Sequence, residues 1–291
     1  MINIIFNNQW YLLYLAGIMI ASAYVQRNGL IYPLLNKLTV FVPSKRLFVV
    51  ATSAIAGILP IAGRVSISAG ILDTIAPKGE RRKHYGILDY LSTHHYYLWS
   101  PIEKSVIIPM AVLGLSYAEF MQLMWPLTII AIVIPFVLIF VLLEEDDVIV
   151  QTQKQERTKV EWINWQLLIA IAVIIILGNI ARDHTDKIRG YLVFNEWSII
   201  SGAWIGFAAS FLLGSSSRFA AFTAILASIF GVEYLPLFFA VDYTGYMLSP
   251  THKCFAIGKM YFNTSLVTYY THIILLCSFI MATAFILVTF R

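Results

Sequence analysis

The sequence predicts an all-α integral membrane protein built as an inverted-topology repeat, each half with about three spanning helices plus one re-entrant helical hairpin. Three observations carry this expectation. First, 59% of the 291 residues are hydrophobic and 12% are charged, whereas a water-soluble domain is nearer a quarter charged. Second, two apolar hairpins carry an arginine at the same register: Arg64 in the stretch 57–72 and Arg218 in the stretch 211–226, 154 residues apart. Third, Leu88-Asp89-Tyr90 followed by Ser100-Pro101-Ile-Glu103-Lys104 recurs as Val241-Asp242-Tyr243 followed by Ser249-Pro250-Thr-His252-Lys253. Order, spacing and residue type all repeat, which points to duplication.

The elements follow in chain order. The run 9–25 approaches the ~20 apolar residues a spanning helix needs. Although Ala21-Ser22-Ala23 resembles a cleavage site, the first ten residues hold no lysine or arginine, so a retained helix is expected rather than a signal peptide. Residues 26–44, interrupted by Tyr32-Pro33 and Asn36-Lys37, read as an interfacial helix. Runs 47–63 and 65–76 form the first hairpin, because the second is too short to span and a tip of small and breaker residues, Pro60-Ile-Ala-Gly-Arg64, separates them. Its flanks, Lys45-Arg46 and the basic stretch 78–83, are both positive, which places both ends on the inner side.

Runs 105–116 and 120–143 supply a helix that begins after Ser-Pro and a full span. The polar segment 144–165 links the halves. The second half then runs through 166–181, a hairpin of 199–213 and 219–231 with the tip Gly214-Ser-Ser-Ser-Arg218, and the runs 235–249 and 265–290. The division is 1–143 with hairpin 47–76, linker 144–165, and 166–291 with hairpin 199–231. Three crossings per half is an odd number, so the second half enters upside down, the plan of many secondary transporters.

An arginine in such surroundings costs roughly 2.5–3.5 kcal/mol at a bilayer centre, and this chain carries the cost twice. Each arginine opens the second limb of its hairpin, where unpaired N–H groups and the helix dipole favour an anion. Gly63, Ser66, Ser68, Ser215, Ser216 and Ser217 let the backbone approach and donate hydrogen bonds. Two guanidinium forks suit a small divalent oxyanion or carboxylate. The bland alternative is that each arginine snorkels to a headgroup or pairs with a buried carboxylate.

Asp89, Lys104, Asp242 and Lys253 are the symmetric candidates for gating or coupling. Either aspartate could take a proton or a cation, or serve as salt partner to an arginine or lysine. His94-His95 lies in an aromatic, interfacial-looking stretch and lacks further ligands at helical spacing, so no metal is expected. The two cysteines, Cys254 and Cys277, read as buried thiols. Tyr96, Tyr97, Trp99, Tyr269 and Tyr270 read as interfacial anchors.

The stretch 94–109, then Leu113-Gly-Leu-Ser-Tyr-Ala-Glu119, together with Gly57-Ile-Leu-Pro60 and Gly245-Tyr-Met-Leu-Ser-Pro250, resembles the membrane-protein family called domain of unknown function 401. That family sits in the ion transporter superfamily, with divalent anion/sodium symporters and citrate and gluconate permeases. The likeness covers most of 45–262 and implies paired re-entrant hairpins, helices broken at mid-membrane, and an elevator movement against a dimeric scaffold. The sodium/dicarboxylate relatives carry Ser-Asn-Thr at each tip, where this chain has Ala62-Gly-Arg-Val-Ser66 and Ser215-Ser-Ser-Arg218. Sodium coupling is therefore not implied.

The expectation is a secondary transporter of a small anion, a homodimer in a prokaryotic inner membrane, with Na+ or H+ open as coupling ion. No cofactor and no nucleic-acid partner is expected. The alternatives are an anion channel and, further off, a membrane-embedded enzyme, although no His-Glu-x-x-His or positioned nucleophile is present.

Overall fold

A computed structural model describes residues 2–30, 33, 37, 42, 44–58, 64–144, 163, 165–191 and 196–290. The described residues form helices joined by short turns, without strands. The first half contains α1 (Ile2–Arg27), α2 (Lys45–Ile58), α3 (Arg64–Ile75), α4 (Arg82–Ser92), α5 (Lys104–Leu113) and α6 (Tyr117–Leu142). The second contains α7 (Trp165–Asp183), the short α8 (Thr185–Tyr191), α9 (Glu196–Leu213), α10 (Ser216–Phe230), α11 (Leu235–Leu248), α12 (Lys253–Phe262) and α13 (Leu266–Thr289). The expected interfacial segment 26–44 and the linker 144–165 fall largely outside the described residues. Both hairpins begin slightly earlier than the apolar runs suggested, at Lys45 and Glu196, because the polar residues in front join the first helical turn.

Local chemistry sets the boundaries. Proline at 77 disfavours helical geometry in the residue before it and closes α3. After α4 a 3-10 turn, His95–Leu98, leads into Ser100-Pro101, and α5 starts three residues later at Lys104. The same break separates α11 from α12, which starts at Lys253. Helices α5 and α12 each span 10 residues and end on a left-handed residue, Gly114 (φ 70°) and Asn263 (φ 53°), a conformation that releases the chain from the helix. Ser116 and Ser265 then cap α6 and α13. Each of these pairs is 149 residues apart.

At α6 the cap is reciprocal: Glu119 N–H donates to Ser116 Oγ at 3.3 Å, and Ser116 N–H donates to Glu119 Oε2 at 2.7 Å. Ser116→Ala is expected to lower stability by about 1 kcal/mol, read from the shift of the denaturant midpoint of the purified protein.

Among the described residues two helices, α6 with 26 residues and α13 with 24, are long and apolar enough to cross a membrane. At ~1.5 Å per residue they reach ~39 and ~36 Å, against a hydrocarbon core of ~30 Å. They pack against each other and turn large apolar side chains outward, among them Trp125, Phe136 and Phe140 from α6 and Phe279 and Phe285 from α13. Contiguous exposed apolar surface of this kind is rare on water-soluble monomers.

The rest is wound around the helix breaks. Helix α2 packs on α3 and α4, and α9 packs on α10 and α11. Each second hairpin limb also reaches across to the other half, α3 to α12 and α10 to α5. The aromatic residues at the breaks are core rather than anchors: Tyr96, Tyr97 and Tyr269 are buried, and Tyr270 is half-buried. The reason is polar satisfaction inside the fold, since Tyr97 and Tyr246 share a hydroxyl–hydroxyl hydrogen bond of 2.9 Å.

Candidate functional site

The Tyr97–Tyr246 pair marks the point on which four helix starts converge. Arg64, the first residue of α3, holds its guanidinium 5.7 Å from the Tyr97 ring and 3.8 Å from the Tyr96 ring. Its Nη2 donates to Glu103 Oε2 at 3.1 Å, with the two side chains 15% and 7% exposed. Glu103 is the residue that precedes α5, and Ser105 in its first turn donates to the Tyr97 carbonyl at 2.7 Å. Phe219 in the first turn of α10 lies 5.9 Å from the Tyr97 ring and 5.2 Å from the Tyr246 ring. His252, which precedes α12, lies 4.2 Å from the Tyr246 ring.

Helix starts carry unpaired N–H groups and about half a positive charge each, so their convergence creates a field that favours an anion. The charged side chains add to it. Arg64 and the half-buried Lys104 outweigh Glu103 by one positive charge, and Glu103 Oε1 has no hydrogen-bond partner. The aromatic faces under Arg64 hold the guanidinium by cation–π attraction.

The sequence-predicted residues divide into groups. Arg64 and Lys104 stand at the convergence, and Ser215 precedes α10, half-buried, without a side-chain capping bond. The backbone of Ser216, Ser217 and Arg218 forms the first turn of α10, while their side chains, and Gly63 altogether, lie outside the described residues. Ser66 is half-buried, and the buried Ser68 hydroxyl lies 3.0 Å from the Val65 carbonyl one turn back and also within hydrogen-bond reach of the Asp89 carboxylate. Lys253 is exposed at the start of α12, unlike its counterpart Lys104.

The two aspartates are buried, and their hydrogen-bond partners are hydroxyls rather than cations. Asp89 accepts from Ser53 Oγ of α2 at 2.8 Å, and Asp242 accepts from Thr223 Oγ1 of α10 at 2.7 Å, with Asp242 Oδ1 left without a partner. Each ties the helix that follows its hairpin to a limb of that hairpin. This differs from the salt-partner alternative because Arg64 pairs with Glu103 at the first helix break instead.

Sequence reasoning missed two features. Tyr97 and Tyr246 are 149 residues apart, the offset of the Ser-Pro-x-x-Lys motif, so extending that register would have found them. It also sought metal ligands at helical spacing from His94. The fold brings them from the other half: His94 Nε2 lies 3.1 Å from His252 Nε2, with Cys254 adjoining both. Cys277 is buried and Cys254 half-buried, and neither is in a disulfide.

No family model, no curated protein and no solved structure matches the chain.

Proposed function

We propose that this chain is a secondary transporter of a small, divalent anion, an inorganic oxyanion or a carboxylate, working by elevator-type alternating access. One observation carries the reading: the starts of α3, α5, α10 and α12 meet around Tyr97 and Tyr246, with Arg64 among them. Two of these starts come from each half. The recurrence of caps and breaks at a constant 149 residues, and the crossed packing of α3 on α12 and α10 on α5, support an inverted repeat about that point. The apolar outward faces of α6 and α13 support a membrane setting. The resemblance to the ion transporter superfamily adds the homodimer, and the basic flanks of the first hairpin support a prokaryotic inner membrane.

In this reading Glu103 is the internal stand-in for the cargo. Its carboxylate neutralises Arg64 while the site is empty of anion, and an arriving anion takes its place on the guanidinium fork. Two-point contact with Arg64, and backbone donation from the helix starts, then hold the anion without water. Asp89 and Asp242, each linking a hairpin limb to the helix beyond it, are placed to couple hairpin movement to a proton or cation.

Proteoliposomes containing the purified chain are expected to take up a labelled anion saturably and to show counterflow against the same anion preloaded inside. Uptake should fall at least tenfold in Arg218→Ala, a loss of ~1.4 kcal/mol or more of anion interaction. Unchanged uptake in that variant removes Arg218 from the site, and unsaturable flux carrying net current replaces the transporter with a channel. Exchanging sodium for potassium, and separately collapsing the proton gradient, identifies the coupling ion.

A further inference from the structure

His94 ends the last turn after α4, and His252 and Cys254 open α12, so three metal-ligating side chains from opposite halves meet where both helices break. Their hydrogen bonds fix the tautomers. Thr93 Oγ1 donates to the Asp89 carbonyl at 2.7 Å, so toward His94 Nδ1, 3.1 Å away, it can only accept. His94 Nδ1 also lies 2.5 Å from the Tyr90 carbonyl, an acceptor. The proton of the neutral ring is therefore on Nδ1.

The same holds for His252. Tyr90 Oη donates to the Met247 carbonyl at 2.8 Å, so toward His252 Nδ1 at 3.0 Å it accepts, as does the Tyr246 carbonyl at 3.1 Å. Both neutral rings thus turn an Nε2 lone pair toward the other across 3.1 Å. Two buried lone pairs at that distance repel unless a cation lies beside them. The Cys254 sulfur completes the group, with all three ligand atoms within 4.8 Å of one another.

We propose that His94, His252 and Cys254 bind a thiophilic d10 metal ion, Zn2+ or Cu+, that staples the two halves together at their helix breaks. The geometry suits the ion: metal–nitrogen bonds of ~2.0–2.1 Å place two ligand nitrogens ~3.3 Å apart. Backbone carbonyls on both Nδ1–H groups are the usual support that orients ligating imidazoles. A thiolate with two imidazoles selects Zn2+ or Cu+ over Mg2+ or Ca2+. The site adjoins the convergence, since His252 also lies 4.2 Å from the Tyr246 ring, but none of its three ligands is assigned to the anion.

The test uses the full chain in detergent, incubated with Zn2+ or with Cu+ under a competing chelator and then desalted. Elemental analysis is expected to give about one ion per chain for one of the two, which names the metal. His94→Gln and Cys254→Ser should each lower that content at least tenfold, whereas Cys277→Ser, in the same protein but remote in role, should keep it. Co2+ in place of Zn2+ should show a sulfur-to-metal charge-transfer band in the wild type, and chelation should lower the melting temperature of the loaded protein. Less than a tenth of an ion per chain with both metals overturns the proposal, as it would if a shared proton were the only cation between the rings. Undiminished binding in both ligand variants also overturns it. Where a variant does not fold, X-ray absorption of the loaded wild type decides, since lack of a metal–sulfur distance near ~2.3 Å excludes Cys254. None of these readouts depends on transport.

Discussion

Replacing Arg64 by alanine is expected to abolish saturable anion uptake and to destabilise the protein sharply. The guanidinium is held by Glu103 at 3.1 Å and by the face of Tyr96 at 3.8 Å. Removing it strands a carboxylate that is 7% exposed and already has one oxygen without a partner. Breaking one side of such a buried pair costs about 3–5 kcal/mol. Stability and transport are separable here through the double variant Arg64→Ala/Glu103→Gln, in which the carboxylate is no longer stranded and only the half-buried Lys104 keeps a charge. Most of the thermal stability should return and none of the uptake. Arg64→Lys should keep a charge near Glu103 but lose the planar fork and its stacking, with uptake reduced at least tenfold. Melting temperature in detergent and initial uptake in proteoliposomes check the three variants together. Restored uptake in the double variant would show that Arg64 serves only to neutralise Glu103, and the anion assignment would fall.

Much of this arrangement was legible before any coordinates. The helix breaks follow from Ser-Pro, and the paired helices α2–α3 and α9–α10 from short apolar runs on either side of breaker-rich tips. These are local signals, carried by residues within one or two turns of each other. What the sequence did not reveal is who meets whom across the halves. Glu103 was noted only as the counterpart of His252, and nothing local says that it faces Arg64, 39 residues earlier. His94 and His252 are 158 residues apart, and their pairing depends on α4 and α12 packing together. The tyrosines misled for a related reason. A tyrosine at a helix end is usually an interfacial anchor, but here the helix ends lie inside the fold, so Tyr97 finds its partner in Tyr246 instead of a headgroup.

Gly245→Ala is expected to be strongly destabilising, because the added methyl meets backbone rather than a side chain. A Cβ at 245 would lie 2.5 Å from the Phe207 carbonyl oxygen and 3.2 Å from the Phe211 nitrogen, both backbone atoms of α9. Backbone cannot rotate away, so α9 and α11 would have to separate. Small residues permit this kind of close helix approach, and Gly206 makes the reciprocal one, its own face pressed on the Asp242 carboxylate. Separation would therefore also strain the bond between Asp242 and Thr223, which fastens α11 to α10. Alanine regains up to ~1 kcal/mol of helix propensity over glycine, while forcing a methyl into a packed contact costs ~1–3 kcal/mol. Against rigid backbone the cost falls at the upper end, and the net is destabilising. Gly57→Ala repeats the effect in the first half, where the Cβ would meet the Thr93 carbonyl oxygen at 2.9 Å. Gly17→Ala in α1 is the control, with no atom within 4 Å of its Cβ, and should be neutral or slightly stabilising. Melting temperatures of the three variants in one detergent give the comparison. If Gly245→Ala melts with Gly17→Ala rather than with Gly57→Ala, α9 and α11 are not in backbone contact, and the tie from the second hairpin to Asp242 is looser than the packing of α9 on α11 requires.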